Sequence, residues 1–156
     1  MKPLKFILSA ISIGILFTLS NCSSPSPTPV PVADQQLEKL VKTWSIKTAT
    51  LDGVDKTATY PGFELEISGT KGAVLFGYKA ISRPSVSPWK ATGDWEFGTD
   101  PVTMMVRDKN NPSDKLDMTY SVNETQLQIN FTYTGKGYTR TEAVAGNWVY
   151  TFTPKK

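Results

Sequence analysis

From Phe63 to Phe152 this chain keeps returning to one local pattern, an apolar residue at every second position. Phe63, Leu65 and Ile67 alternate with Glu64, Glu66 and Ser68. Leu116, Met118, Tyr120 and Val122 alternate with Asp117, Thr119 and Ser121. Leu127, Ile129, Phe131 and Tyr133 alternate with Gln128, Asn130 and Thr132, and Trp148, Tyr150 and Phe152 with Val149, Thr151 and Thr153. Neighbouring side chains of a strand point to opposite faces, so each run reads as a strand with one buried and one wet face. The pattern predicts eight strands, near 43–50, 62–68, 73–79, 93–98, 102–107, 116–122, 126–133 and 146–153. One short helix is predicted ahead of them, over 33–44. Asp34 is placed to cap it, and Leu37, Leu40, Val41 and Trp44 follow the spacing of one helix face.

The fold class that follows is all-β: an eight-stranded antiparallel up-and-down barrel with one short N-terminal helix. Closing the sheet on itself removes its exposed edges. A two-sheet sandwich is the alternative. Link lengths favour the barrel. The second, fourth and sixth links are short turns, at 69–72, 98–101 and 123–125. The first, third, fifth and seventh are long, at 51–61, 80–92, 108–115 and 134–145. In an up-and-down barrel the odd links share one end and the even links the other. One end is therefore expected to be tight, with the helix beside it, and the other to carry four long loops.

The N-terminal region reads differently. Lys2 and Lys5 precede an apolar run over 6–19. A helix across the hydrocarbon core needs about 20 residues, so this run suits a cleaved signal segment, 1–21. Leu19-Ser20-Asn21-Cys22 resembles a lipobox, with Asn21 where a smaller residue is usual. The resemblance implies lipidation of Cys22: diacylglycerol on its sulfur, cleavage before it, and acylation (palmitate or similar) of the new N-terminus. Residues 22–33 then form a Pro/Ser-rich tether, and 34–156 the folded domain. Pro fixes φ and donates no amide hydrogen, so this tether is expected to be an extended polyproline helix at about 3.1 Å per residue. Ten such residues reach roughly 30 Å.

Composition narrows the chemistry. The precursor carries a formal charge of +3, two units of it from the leader lysines, and no basic stripe favours nucleic acid. Cys22 is the sole cysteine, so no disulfide forms within the chain, and there is no histidine. That excludes Ser-His-Asp and Cys-His catalysis, histidine metal ligation and a histidine pH switch.

The order of features resembles the lipocalin and wider calycin families, and more closely the lipocalin-like lipoproteins common in Bacteroidota. The residues that carry the resemblance are Leu40-Val41-Lys42-Thr43-Trp44, Tyr60-Pro61-Gly62-Phe63, Gly93-Asp94-Trp95-Glu96-Phe97 and Gly146-Asn147-Trp148-Val149-Tyr150-Thr151-Phe152. Lys42 stands where the lipocalin signature has Gly, and Lys155 or Lys156 where an arginine often follows the last strand to stack on the opening Trp. The resemblance implies that Trp44 plugs the closed end beside the helix. Trp44, Trp95 and Trp148 are read as structural barrel plugs, since a buried aromatic is foremost a large apolar volume.

The rim of the loop end is expected to hold Tyr60, Arg83, Trp89, Tyr138 and Arg140 as candidate ligand-binding residues. Trp89 lies in a loop bracketed by Pro84 and Pro88. It either stands exposed to a ligand or folds back to close the mouth. The oxygen-rich segment 108–114 lacks the sixth-position Gly and twelfth-position Glu of a calcium loop, and reads as a polar hairpin loop. Glu64/Glu66 and Asp94/Glu96 read as solvent-facing strand positions rather than a carboxylate pair for catalysis.

No cofactor, metal or enzymatic activity is expected. The function expected first is binding of a small apolar or amphipathic ligand at the loop end of a monomeric envelope lipoprotein. Its membrane is expected to be the outer rather than the inner one, with the body facing the periplasm. The alternative is a filled barrel acting as a protein-interaction module, an envelope inhibitor or accessory subunit. An eight-stranded barrel is only just wide enough for its own side chains, so interior volume decides between them.

Overall fold

Residues 29–135 and 142–156 are described by the computed structural model. The expected leader, Cys22, most of the tether, Tyr138 and Arg140 lie outside the described residues.

The alternating runs become strands: β1 Thr43–Leu51, β2 Val54–Asp55, β3 Glu64–Ser68, β4 Phe76–Ile81, β5 Thr92–Phe97, β6 Met104–Arg107, β7 Leu116–Val122, β8 Leu127–Tyr133 and β9 Gly146–Pro154. Their burial follows the sequence: in β7 and β8 every second side chain is buried. The sheet order is β2-β1-β3-β4-β5-β6-β7-β8-β9, and β9 returns to pair with β1. Apart from the two-residue β2, eight strands thus close into an antiparallel up-and-down barrel. The closing seam runs from Trp44 opposite Pro154 to Leu51 opposite Trp148, with a bulge between Ile46 and Thr48.

Several boundaries differ from expectation. The helix α1 spans Val32–Leu40 and stops well before Trp44. Pro31 sits at its N-cap, not Asp34. Asp34 instead accepts a hydrogen bond from the Gly72 amide at 3.0 Å, which fastens the helix to the β3–β4 turn. Trp44 belongs to β1, where its indole Nε1 donates to the Leu40 carbonyl at 2.9 Å and satisfies one of the open carbonyls at the helix end. The strand expected at 73–79 begins at Phe76 instead. Ser68, the last residue of β3, pairs with Gly77, so 73–75 overrun the ladder and have no partner strand.

The helix packs at the end that carries the even links. Lys71 of the β3–β4 link pairs with Glu38 at 3.0 Å. A Cβ added to Gly69 would lie 2.9 Å from a methyl of Leu37, which shows how closely helix and turn approach. The helix therefore lies at the end of the barrel opposite the described parts of the long odd links.

The first long link also contributes structure that alternation does not report. Asp52 and Gly53, with φ of 50° and 81°, form a two-residue turn between Leu51 and Val54. Positive φ at both central residues is the geometry that matches strand twist in a tight hairpin. A 3-10 turn at Thr57–Thr59 follows. The Ala49 amide donates to Thr57 Oγ1 at 3.0 Å, and the Lys56 amide donates to the Ala49 carbonyl at 2.8 Å. Of β1, β3 pairs only with Thr43–Ser45, so this hairpin and turn cover the flank of β1 that β3 leaves open.

Candidate functional site at the loop end of the barrel

The inward side chains form two aromatic groups. Near the helix, Phe76 and Trp95 lie 4.7 Å apart, with Phe97 at 5.2 Å from Trp95. Near the long loops, Trp148, Tyr150 and Phe152 stack along β9 at 5.2 and 6.1 Å. Phe131 of β8 stacks on Tyr150 at 5.8 Å. Tyr60, from the first long link, meets Phe63, Trp148 and Tyr150 at 5.4–5.9 Å.

Trp89 fills the remaining mouth. It comes from the link 82–91 and is 1% exposed. Its ring contacts Phe63, Tyr78, Phe131 and Tyr150, with centroids 5.6–6.3 Å apart. Of the two dispositions open to it, Trp89 takes the folded-back one. Its Nε1–H is buried with no hydrogen-bond partner among the described residues.

Polar groups fasten this plug. The Trp89 amide donates to Ser87 Oγ at 3.1 Å. Arg107, at the end of β6, is buried beneath it, with the guanidinium 5.7 Å from the ring centre and Nη1 donating to the Pro88 carbonyl at 2.7 Å. Arg107 Nε lies 3.3 Å from Asp108 Oδ2, an ion-pair distance without hydrogen-bond alignment. Lys90 bridges Asp108 and Asp114, each at 3.4 Å. The oxygen-rich loop is thus answered by a lysine from the plug loop, and no cluster of three metal-ligating side chains occurs among the described residues.

The Tyr150 hydroxyl donates to that of Tyr60 at 2.7 Å. Burial pushes the Tyr60 phenol above its ordinary range, opposed by its hydrogen bonds to Tyr150 and Ser87.

The sequence-predicted residues therefore separate. Tyr60, Arg83 and Trp89 do lie on loop-end links, but Tyr60 and Trp89 are interior side chains rather than rim surface. Arg83 is half-buried, its Nη1 donating to the Pro84 carbonyl at 3.1 Å. Trp44, Trp95 and Trp148 are all buried. Trp44 and Trp95 fill the helix end, whereas Trp148 packs at the loop end, its Nε1 donating to the Val144 carbonyl at 2.8 Å. The cation over Trp44 is Lys42, 5.1 Å from the ring centre, while Lys155 pairs with Glu64 at 2.9 Å. Sequence reasoning missed Ser87, Lys90 and Arg107. Arg107 did carry a signal: it shares the inward parity of Met105 in a short strand, where a cation requires a buried partner.

Inside the barrel, beneath Trp89, lies a cavity of about 10 Å³, bounded by residues such as Leu65, Tyr78, Trp89, Met118 and Ile129. That is room for about one water, against several hundred Å³ for a typical ligand site. A larger hollow of about 350 Å³ lies on the outer face, where Asp117, Thr119, Asn130, Thr132 and Asn147 line it. Comparison with protein-family models, with characterised proteins and with solved structures returned no match.

Proposed function

We propose that this chain is a lipid-anchored protein of the cell envelope, held through Cys22, whose filled barrel serves as a non-enzymatic protein-interaction module. The observation that carries the reading is the interior. Aromatic side chains and the Trp89 plug occupy it, and the cavity beneath them holds only about 10 Å³, which favours a solid support over a cup. A solid barrel with long links at the end opposite the helix suits presentation of loops to a partner. Val54 and Val86 are exposed apolar side chains on two of those links. The lipobox-like Leu19–Cys22 and the proline-rich segment after it support the anchor, and Ser23 rather than an Asp directly after Cys22 favours the outer membrane, with the body in the periplasm.

Two measurements test this reading. The mass of the mature chain extracted from membranes is expected to show cleavage before Cys22 and a lipid on it. A photo-crosslinking side chain at Val54 or Val86 is expected to give one discrete protein adduct in the envelope, lost when the other exposed valine is changed to Asp. Absence of an adduct at both positions would overturn the module.

A second reading, a small apolar or amphipathic ligand at the loop end, is favoured by one observation. The ring that closes the mouth belongs to a link, not to a strand, and its buried Nε1 has no partner. Such a ligand would have to displace Trp89. Titration with apolar probes, followed by tryptophan emission, distinguishes the two readings.

A further inference from the structure

The unpaired overhang before β4 places apolar surface at the helix end. Val74 is 81% exposed and Leu75 46%. Beside them a shallow hollow of about 320 Å³ is lined by Ala33, Ala73, Val74, Phe76 and Phe97, with Glu96 and Lys109 at its edge. Val102, in the neighbouring link of the same end, is also exposed, as are Val30 and Val32 where the chain enters α1. Among the described residues, six of the eight large exposed apolar side chains, Val41 included, thus belong to the end at which the tether arrives, and two to the loop end.

We propose that this end is a membrane-docking face, with Val74, Leu75 and Val102 entering the headgroup boundary of the bilayer that holds the lipid on Cys22. The inference rests on the anchoring reading above. Three apolar side chains alone give only weak partition, but a short tether makes docking intramolecular. Confinement of the body to within roughly 30 Å of the bilayer raises its effective concentration there, enough for a weak contact to be populated. The position of the patch supplies the geometry: Asp34 at the start of α1 holds the Gly72 amide, so the point where the tether joins the body adjoins the overhang. Charge adds little. Lys39, Lys42, Lys71, Lys155 and Lys156 share this end with Asp34, Glu38, Asp100 and Glu124, and Lys71 and Lys155 are already paired with Glu38 and Glu64, so the attraction is apolar and insensitive to salt. Docked this way, the long loops point away from the bilayer.

The test uses the full mature chain in vesicles of phosphatidylethanolamine and phosphatidylglycerol. An acylated Cys22 has no free thiol, so a Val74→Cys or Val86→Cys variant takes a single environment-sensitive fluorophore. The label at position 74 is expected to shift to shorter wavelength and to be quenched by lipids carrying a nitroxide near the headgroup. The label at 86 is expected to do neither, and a Leu75→Asp/Val102→Asp background is expected to abolish the effect at 74. Aqueous emission at both positions, or equal shifts at both, would overturn the docking face while leaving the anchor intact. If the mass of the chain shows no lipid on Cys22, the anchoring reading has failed. The same labels, placed in a Cys22→Ser chain so that only one thiol reacts, are then read with excess vesicles added: a selective shift at 74 supports the face and none overturns it.

Discussion

The guanidinium of Arg107 and the indole of Trp89 are buried together, 5.7 Å apart, although one closes a barrel strand and the other comes from a loop. Arg107 also holds the Pro88 carbonyl, so the cation that lies under the plug fixes the backbone that carries it. A buried cation is costly unless paired and hydrogen-bonded. Here the aromatic face, a carbonyl and Asp108 share that role.

Trp89→Ala empties the mouth. Large-to-small changes of a buried aromatic cost about 3–5 kcal/mol, and this ring touches four others. Urea unfolding is expected to show a loss of that order, with Trp89→Phe intermediate. The Ala variant is also expected to bind apolar dyes that the parent chain excludes, because it joins the plug volume to the small interior cavity.

Asp108→Asn separates charge from backbone. Asp108 sits at φ +50°, a left-handed conformation that Asn tolerates as well as Asp does. Removing one partner of a buried ion pair costs about 3–5 kcal/mol. Lys90 keeps Asp114, so Arg107 bears most of the loss. A stability drop of about 3 kcal/mol is expected, with salt restoring little of it, since the carboxylate is largely buried.

Alkaline pH is expected to unfold the barrel through its tyrosines. Burial raises the phenols of both Tyr60 and Tyr120, with Asp100 adding to the rise at Tyr120, whose hydroxyl donates to the Pro101 carbonyl. The unfolded chain sheds these protons from about pH 10, before the folded chain does. Stability is therefore full below pH 10 and is lost as pH rises through the higher folded values. Tyr60→Phe is expected to cost about 1 kcal/mol at neutral pH, because the Tyr150 hydroxyl loses its acceptor. The same change is expected to flatten the alkaline slope. Thermal melts at stepped pH check both.

Gly93→Ala tests the tightness of the wall between β4 and β5. A Cβ there would lie 2.6 Å from the Tyr78 ring. Tyr78 cannot simply swing aside, because it packs against Trp89 at 5.6 Å. Overpacking of this kind costs about 1–3 kcal/mol. A smaller change in melting temperature for Gly93→Ala in a Trp89→Ala background would show that the two positions share one packing constraint.

The barrel was legible from local pattern. Period-two alternation marks strands that bury one face, and that burial is written residue by residue, so β7 and β8 fall where Leu116–Val122 and Leu127–Tyr133 predict them. Link lengths also carried the sorting of helix and long loops to opposite ends, because strand direction alternates without reference to side-chain detail. What depends on distant residues was not legible. The end of α1 is set by Trp44 turning back to Leu40, and the start of β4 by where Ser68 stops pairing. Above all, the sequence could place Trp89 on a proline-bracketed loop but could not say which way it faced. That direction is decided by partners far along the chain, Phe63, Arg107, Phe131 and Tyr150, which offer it a large apolar surface and a buried cation. Local patterning determined a closed barrel, while only tertiary packing decided that the barrel is full.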